Sequence, residues 1–140
     1  MIINQLKISE SRAAFAATTI DNTCIYAVGG YNHHGVLDSA EFTDLRTPMW
    51  ISLPRMKYRR SNLSITNIHN SIYAFGGYNK EMKGLNVVER FDLRMNRWEV
   101  VGNMLVPRTS FGIGHYVRHD PDASPIEIPP FKDADHSWLV

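Results

Sequence analysis

The side chains of this 140-residue chain that invite a chemical reading are its histidines, its one cysteine, its arginines and its tyrosines. His33 and His34 are adjacent in the loop Tyr31-Asn-His-His-Gly-Val-Leu-Asp38. Adjacent side chains on an extended chain point apart, and zinc asks for three or four converging ligands. Exposed loop histidines are therefore the expectation. His115 and His119 have a spacing that brings ligands together on a helix, but their segment reads as strand followed by loop. Cys24 stands alone, which excludes an intrachain disulfide and leans toward a reducing compartment. Gly29-Gly30 follows a strand, yet no Gly-x-Gly-x-x-Gly or Walker pattern exists and no helix follows. No Ser-His-Asp order, carboxylate pair or metal-ligand set emerges, so neither catalysis nor a cofactor is expected. Tyrosine and arginine remain, and these are residue types that concentrate binding energy at protein interfaces.

Composition narrows the partners. The formal charge is +1 and no polybasic run occurs, so neither nucleic acid nor an anionic membrane surface is favoured. With 44% hydrophobic and 21% charged residues, the chain has the make-up of a soluble domain. Its apolar stretches are strand-sized, far below the roughly 20 residues of a membrane helix. The start Met1-Ile-Ile-Asn-Gln-Leu-Lys7 lacks the charged and apolar regions of a signal peptide, so a cytoplasmic protein is expected.

The elements that must position these residues follow from an internal repeat. Tyr26-Ala-Val-Gly-Gly-Tyr31-Asn32 falls on Tyr73-Ala-Phe-Gly-Gly-Tyr78-Asn79 at an offset of 47. Glu41, Asp44-Leu45-Arg46, Trp50 and Met56 fall on Glu89, Asp92-Leu93-Arg94, Trp98 and Met104 at 48, and Arg12, Arg60 and Arg108 mark three successive starts. A period of this size signals stacked units such as propeller blades. Within each period the pattern is β, with strands expected at 13–20, 24–29, 38–45 and 49–53, and again at 61–68, 71–76, 86–93 and 97–101. Asp21-Asn22-Thr23 and His69-Asn70-Ser71 carry tight-turn chemistry between the first two strands of each set. Four strands per unit make one blade.

The double glycines Gly29-Gly30 and Gly76-Gly77 are each followed by a Glu-x-x-Asp element, a Trp six residues after the Asp, then Met and Arg. This ordered set, present twice over roughly residues 12–110, resembles the kelch repeat. Trp98 is expected to pack on Phe91 of the adjacent strand. The first copy departs, having Thr43 in the place of Phe91, with Phe42 one residue earlier available to compensate through a bulge.

The expected fold is all-β: two four-stranded antiparallel kelch blades plus partial flanking blades of an incomplete β-propeller. Residues 1–11 read as the outer strand remnant of a preceding blade, 12–59 as the first repeat and 60–107 as the second. Residues 108–117 read as the inner strand of a third blade. The third double glycine is due near 124, where Ser124-Pro125 stands, and 118–140 reads as a Pro-rich, poorly ordered tail. Two blades do not close a ring of four to eight. Three arrangements would cover the open faces: a longer protein, self-association such as three chains completing six blades, or another protein's blades, in that order of expectation.

The resemblance is to Kelch-like adaptors, whose propeller recruits substrates to a cullin-type ubiquitin ligase. It implies a protein-binding module contacting a peptide motif through Tyr31, Asn32, Arg60, Ser61, Asn62, Tyr78, Asn79, Arg108 and Thr109 around the channel mouth. A structural role for the arginines between blades weighs about equally, residue by residue. An actin-binding kelch protein, or a truncated product without independent function, is the alternative.

Overall fold

A computed structural model describes residues 7–115. Its strands are β1 (Ala16–Ile20), β2 (Cys24–Val28), β3 (Tyr31–Asn32), β4 (Gly35–Val36), β5 (Ala40–Asp44), β6 (Thr47–Ser52), β7 (Ser64–Ile68), β8 (Ser71–Phe75), β9 (Tyr78–Asn79), β10 (Lys83–Gly84), β11 (Val87–Asp92) and β12 (Arg97–Asn103). They form two four-stranded antiparallel sheets, β1-β2-β5-β6 and β7-β8-β11-β12, each a meander in sequence order. The hairpins β3–β4 and β9–β10 project between the second and third long strands of each blade.

Turn chemistry sets the registers. Asp21 and Asn22 adopt left-handed backbone (φ 53° and 55°), which these two residue types tolerate best after glycine, and so join β1 to β2 with Ile20 opposite Cys24. His69 does the same at φ 49° between β7 and β8. The repeated Asp44 and Asp92 accept backbone N–H groups two residues on, from Arg46 and Arg94 at 2.9 Å each, and so turn the chain into β6 and β12.

The core lies between the blades. Val28 and Ala40 from the first blade meet Leu63 and Ala74 from the second, with Met56 of the connecting linker inserted among them. A second cluster joins Ile20 and Tyr26 to Ile72 and Phe91, with Trp98 packed against it. Trp98 packs on Phe91 as expected, with ring centroids 5.2 Å apart. In the first blade Phe42 does not move into the place of Phe91. It pairs in register with Tyr26 across β2 and β5 and stacks on that ring at 5.4 Å. Thr43 stays at the buried position, with 0% exposure, and the ladder irregularity with β6 falls after it.

Side chains also cross between blades. Thr18 Oγ1 donates to Asn67 Oδ1 at 3.0 Å, and Thr66 Oγ1 bonds His115 Nδ1 at 2.7 Å, the same contact one repeat later. Residues 109–115 thus run beside β7 as β7 runs beside β1, but they form no strand and have no ladder partner among the described residues. Of the expected remnant strand at residues 1–11, residues 1–6 lie outside the described residues and 7–11 form no strand; the tail from 118 lies wholly outside the described residues.

Candidate functional site

The linker entering each blade ends in an arginine, and the structure assigns that side chain a mechanical role. Arg60 is 0% exposed. Its Nη1 donates to the carbonyls of Gly76 (2.9 Å) and Val87 (3.1 Å), and its Nη2 to Glu89 at 2.6 Å. Burial pushes the guanidinium below its ordinary value, and the Glu89 carboxylate pulls it back up. Arg12 repeats the arrangement, donating to the carbonyls of Gly29 (2.7 Å) and Ser39 (3.2 Å) and to Glu41 at 2.7 Å. The backbone of Arg60, by contrast, belongs to the preceding blade: its N–H donates to Leu37 and its carbonyl accepts from Gly30, both at 2.9 Å. Gly29 makes room for this, because a Cβ there would sit 2.5 Å from the Arg60 carbonyl oxygen, and its φ of 64° disfavours other residues besides. Gly76 faces Arg108 in the same way at 2.5 Å. Arg60 therefore joins two blades and does not present its charge to a partner, which corrects the expectation placed on it.

Glu41 and Glu89 were missed as site-forming residues. Each takes the arginine and also two backbone N–H groups of the incoming linker. Glu41 accepts from Ser9 (2.9 Å) and Glu10 (3.2 Å), and Glu89 accepts from Tyr58 at 3.3 Å and from Lys57. Burial works to raise the Glu41 carboxyl, but the Arg12 and linker bonds outweigh it and hold it below its ordinary value. The signal was present in the sequence as a Glu 29 residues after Arg12 and again after Arg60.

The other expected residues separate into two groups. Tyr31 is 47% exposed and its backbone exchanges two hydrogen bonds with Ala13, at 2.8 and 2.9 Å. Tyr78, partly exposed, does the same with Ser61, whose own side chain is buried. Asn62 has left-handed backbone (φ 52°), as do Ala14 (49°) and Ser110 (53°) at the same place in the flanking repeats. These three form a backbone relay, Asn62 N–H to Ala14 carbonyl at 2.8 Å and Ser110 N–H to Asn62 carbonyl at 2.9 Å. Arg108 and Thr109 are exposed beside it. The structure thus gathers Tyr31, Tyr78, Asn62, Arg108 and Thr109 along one rim. Asn32 and Asn79 serve their hairpins. Asn79 is buried, donates to the Arg59 carbonyl at 2.8 Å and accepts from the N–H of Glu81 at 2.9 Å. Asn32 accepts from His34 N–H at 2.9 Å and donates to Glu10 at 3.4 Å. These two act on partners only through the loops that they shape.

His33 and His34 do not point apart. They occupy the turn of the β3–β4 hairpin, where the chain is not extended, and their rings lie 3.8 Å apart. Among the described residues no group of three or more His, Cys, Asp or Glu side chains is placed to hold a metal ion. Among the same residues no helix is long and apolar enough to cross a membrane.

Repeated four-stranded blades, riveted through a buried Arg-Glu pair and presenting loops on a common rim, define a propeller-type interaction scaffold. The kelch motif matches residues 12–57 and again 59–105, and the chain belongs to the kelch-repeat family. An F-box/kelch-repeat protein of Arabidopsis thaliana is 29% identical over 107 residues, which is 74% of this chain and 25% of the relative. A kelch repeat and BTB domain-containing protein 2 of cowpox virus (strain GRI-90 / Grishak) is 30% identical over 103 residues, 71% of this chain and 18% of the relative. Kelch-like protein 7 of Rattus norvegicus is 37% identical over 69 residues, 49% of this chain and 12% of the relative. The chain spans a quarter or less of the length of these curated relatives. Kelch repeats of this kind form protein-interaction modules.

Proposed function

We propose that this chain supplies the substrate-recognition part of a cytoplasmic ubiquitin-ligase adaptor of the cullin type. The rim of Tyr31, Asn62, Tyr78, Arg108 and Thr109 takes a peptide segment of the target. The observation that carries this reading is the rim itself: Tyr31 and Tyr78 at equivalent repeat positions, beside Asn62, Arg108 and Thr109 along a hydrogen-bonded backbone relay. Tyrosine loses little side-chain entropy on binding, and tyrosine and arginine are both enriched among binding anchors. The adaptor assignment is supported by the pairing of kelch repeats with F-box or BTB domains in the relatives. Further blades, whether of a longer protein, of other copies of this chain or of a partner, would complete the ring around this rim.

The test is co-purification from cells, with bound proteins identified by mass spectrometry, for the native chain and for a Tyr31→Ala/Tyr78→Ala variant. Subunits of a cullin-type ligase and a target should accompany the native chain. The target should be lost from the variant while the melting temperature holds. Co-sedimentation with actin filaments in place of the ligase subunits overturns the adaptor reading.

A further inference from the structure

Three linkers enter equivalent framework positions with three different chemistries. Ser9-Glu10-Ser11, Lys57-Tyr58-Arg59 and Leu105-Val106-Pro107 are the three residues before Arg12, Arg60 and Arg108. The second and third are held alike: Arg60 N–H donates to the Leu37 carbonyl at 2.9 Å, as Arg108 N–H donates to the Leu85 carbonyl at 3.1 Å. The first and third residue of every triplet are exposed. Lys57 and Arg59 are exposed with a following blade beside them, so the exposure of Leu105 and Pro107 belongs to the position and not to a missing neighbour. Along this face the exposed side chains change from polar to basic to apolar.

The basic station is a built site. A cavity of about 460 Å³ lies between the β3–β4 hairpin, the second linker and the turn after Asn79. Lys57, Arg59 and Lys80 line it against two acids, Asp38 and Glu81. Asp38 is already bracketed by Arg55 and, at 3.7 Å, by Arg59, so the notch keeps a positive balance. Its floor is rigid, because Glu89 holds the linker amides from within the blade and Asn79 ties the turn to the Arg59 carbonyl. Exposed Met82 forms the wall toward the apolar station. Two residues on, Gly84 lies against Pro107, where an added Cβ would come within 3.1 Å of the proline ring. Met82, Leu105 and Pro107 thus extend the notch with exposed apolar surface, which marks an interaction site.

We propose that this face binds an extended acidic segment of a partner protein, with carboxylates in the notch over Lys57, Arg59 and Lys80 and an apolar side chain on Met82 and Leu105. The inference rests on the protein-binding reading above and adds the chemistry of the ligand, at positions outside the tyrosine rim.

Short fluorescein-labelled peptides test it by anisotropy on the full chain: one of Glu and Leu, one of Glu and Ser, and one of Lys and Leu. The Glu/Leu peptide should bind tightest, and its affinity should fall as salt rises. Lys57→Glu/Lys80→Glu should weaken it by about tenfold or more and improve the Lys/Leu peptide. Leu105→Ser should weaken Glu/Leu while leaving Glu/Ser unchanged. These positions are exposed, and an unchanged melting temperature controls for folding. Equal affinity for Glu/Leu and Lys/Leu, indifference to the Lys57/Lys80 reversal, or binding of none of the peptides overturns the inference. Binding that survives the reversal but is lost in Tyr31→Ala/Tyr78→Ala overturns it while sparing the rim. The adaptor reading itself is decided separately by the co-purification.

Discussion

Thr43 shows how one residue type can be misplaced by its repeat. It is fully buried where the second blade carries Phe91, and its Oγ1 finds no hydrogen-bond partner among the described residues. A buried hydroxyl without a partner costs about 1–3 kcal/mol. Thr43→Val keeps the shape and removes the orphan, so it should stabilise the fold by about 1 kcal/mol, read as a higher urea midpoint with unchanged slope. Phe at the same place should destabilise, because the space is already closed. The alignment located Thr43 correctly and named Phe42 as a substitute, but strand alternation puts neighbouring side chains on opposite faces. Phe42 had to stack on Tyr26 instead. Arg60 was hard to read for a related reason. Its type suggests a binding anchor, whereas its role depends on a carboxylate that is distant in sequence and adjacent only across the blade.

At the scale of elements, the eight long strands were legible from alternation and from Asn and Asp at the turns. The hairpins β3–β4 and β9–β10 were not, since strands of two residues carry no period. That omission is why His33 and His34 were expected to diverge. The glutamates and aspartates that hold linkers and turns make these elements sensitive to acid. Arg46 lowers the Asp44 carboxyl from 3.8 to about 2. Glu41 lies below its ordinary 4.5, with burial opposing and the Arg12 and linker bonds prevailing. A carboxylate whose pKa is lower in the folded state contributes stability above its unfolded pKa and loses it as pH falls through the folded one. Urea midpoints should therefore be level at neutral pH, begin to fall near pH 4.5 and continue falling toward about 2. The Asp44 share should be small because that pair is solvent-screened. A midpoint that rises on acidification would contradict these assignments.

For the whole molecule, the repeat period together with the β pattern inside it was enough to name the blade, because four strands and a linker fill 48 residues. The packing between blades was legible only in part: a role for the arginines between blades was one of the two readings weighed, whereas the buried glutamates that pair with them were not foreseen. Removing one member of a buried ion pair leaves the other charge stranded at a cost of about 3–5 kcal/mol. Arg60→Ala should thus lower the melting temperature steeply, whereas Arg108→Ala, at an exposed position, should leave it nearly unchanged. Equal losses in the two variants would refute the distinction drawn between them.

Arg60 has its main chain bonded to one blade and its side chain to the next. A linear array of repeats ordinarily frays unit by unit, each neighbour adding its own increment. Here a single residue is shared, so neither repeat can open without stripping bonds from the other. Slow hydrogen exchange should register that sharing: the amides of Ala27 in β2 and Ala74 in β8 should open together as one cooperative unit, and in Arg60→Ala they should open at separate rates.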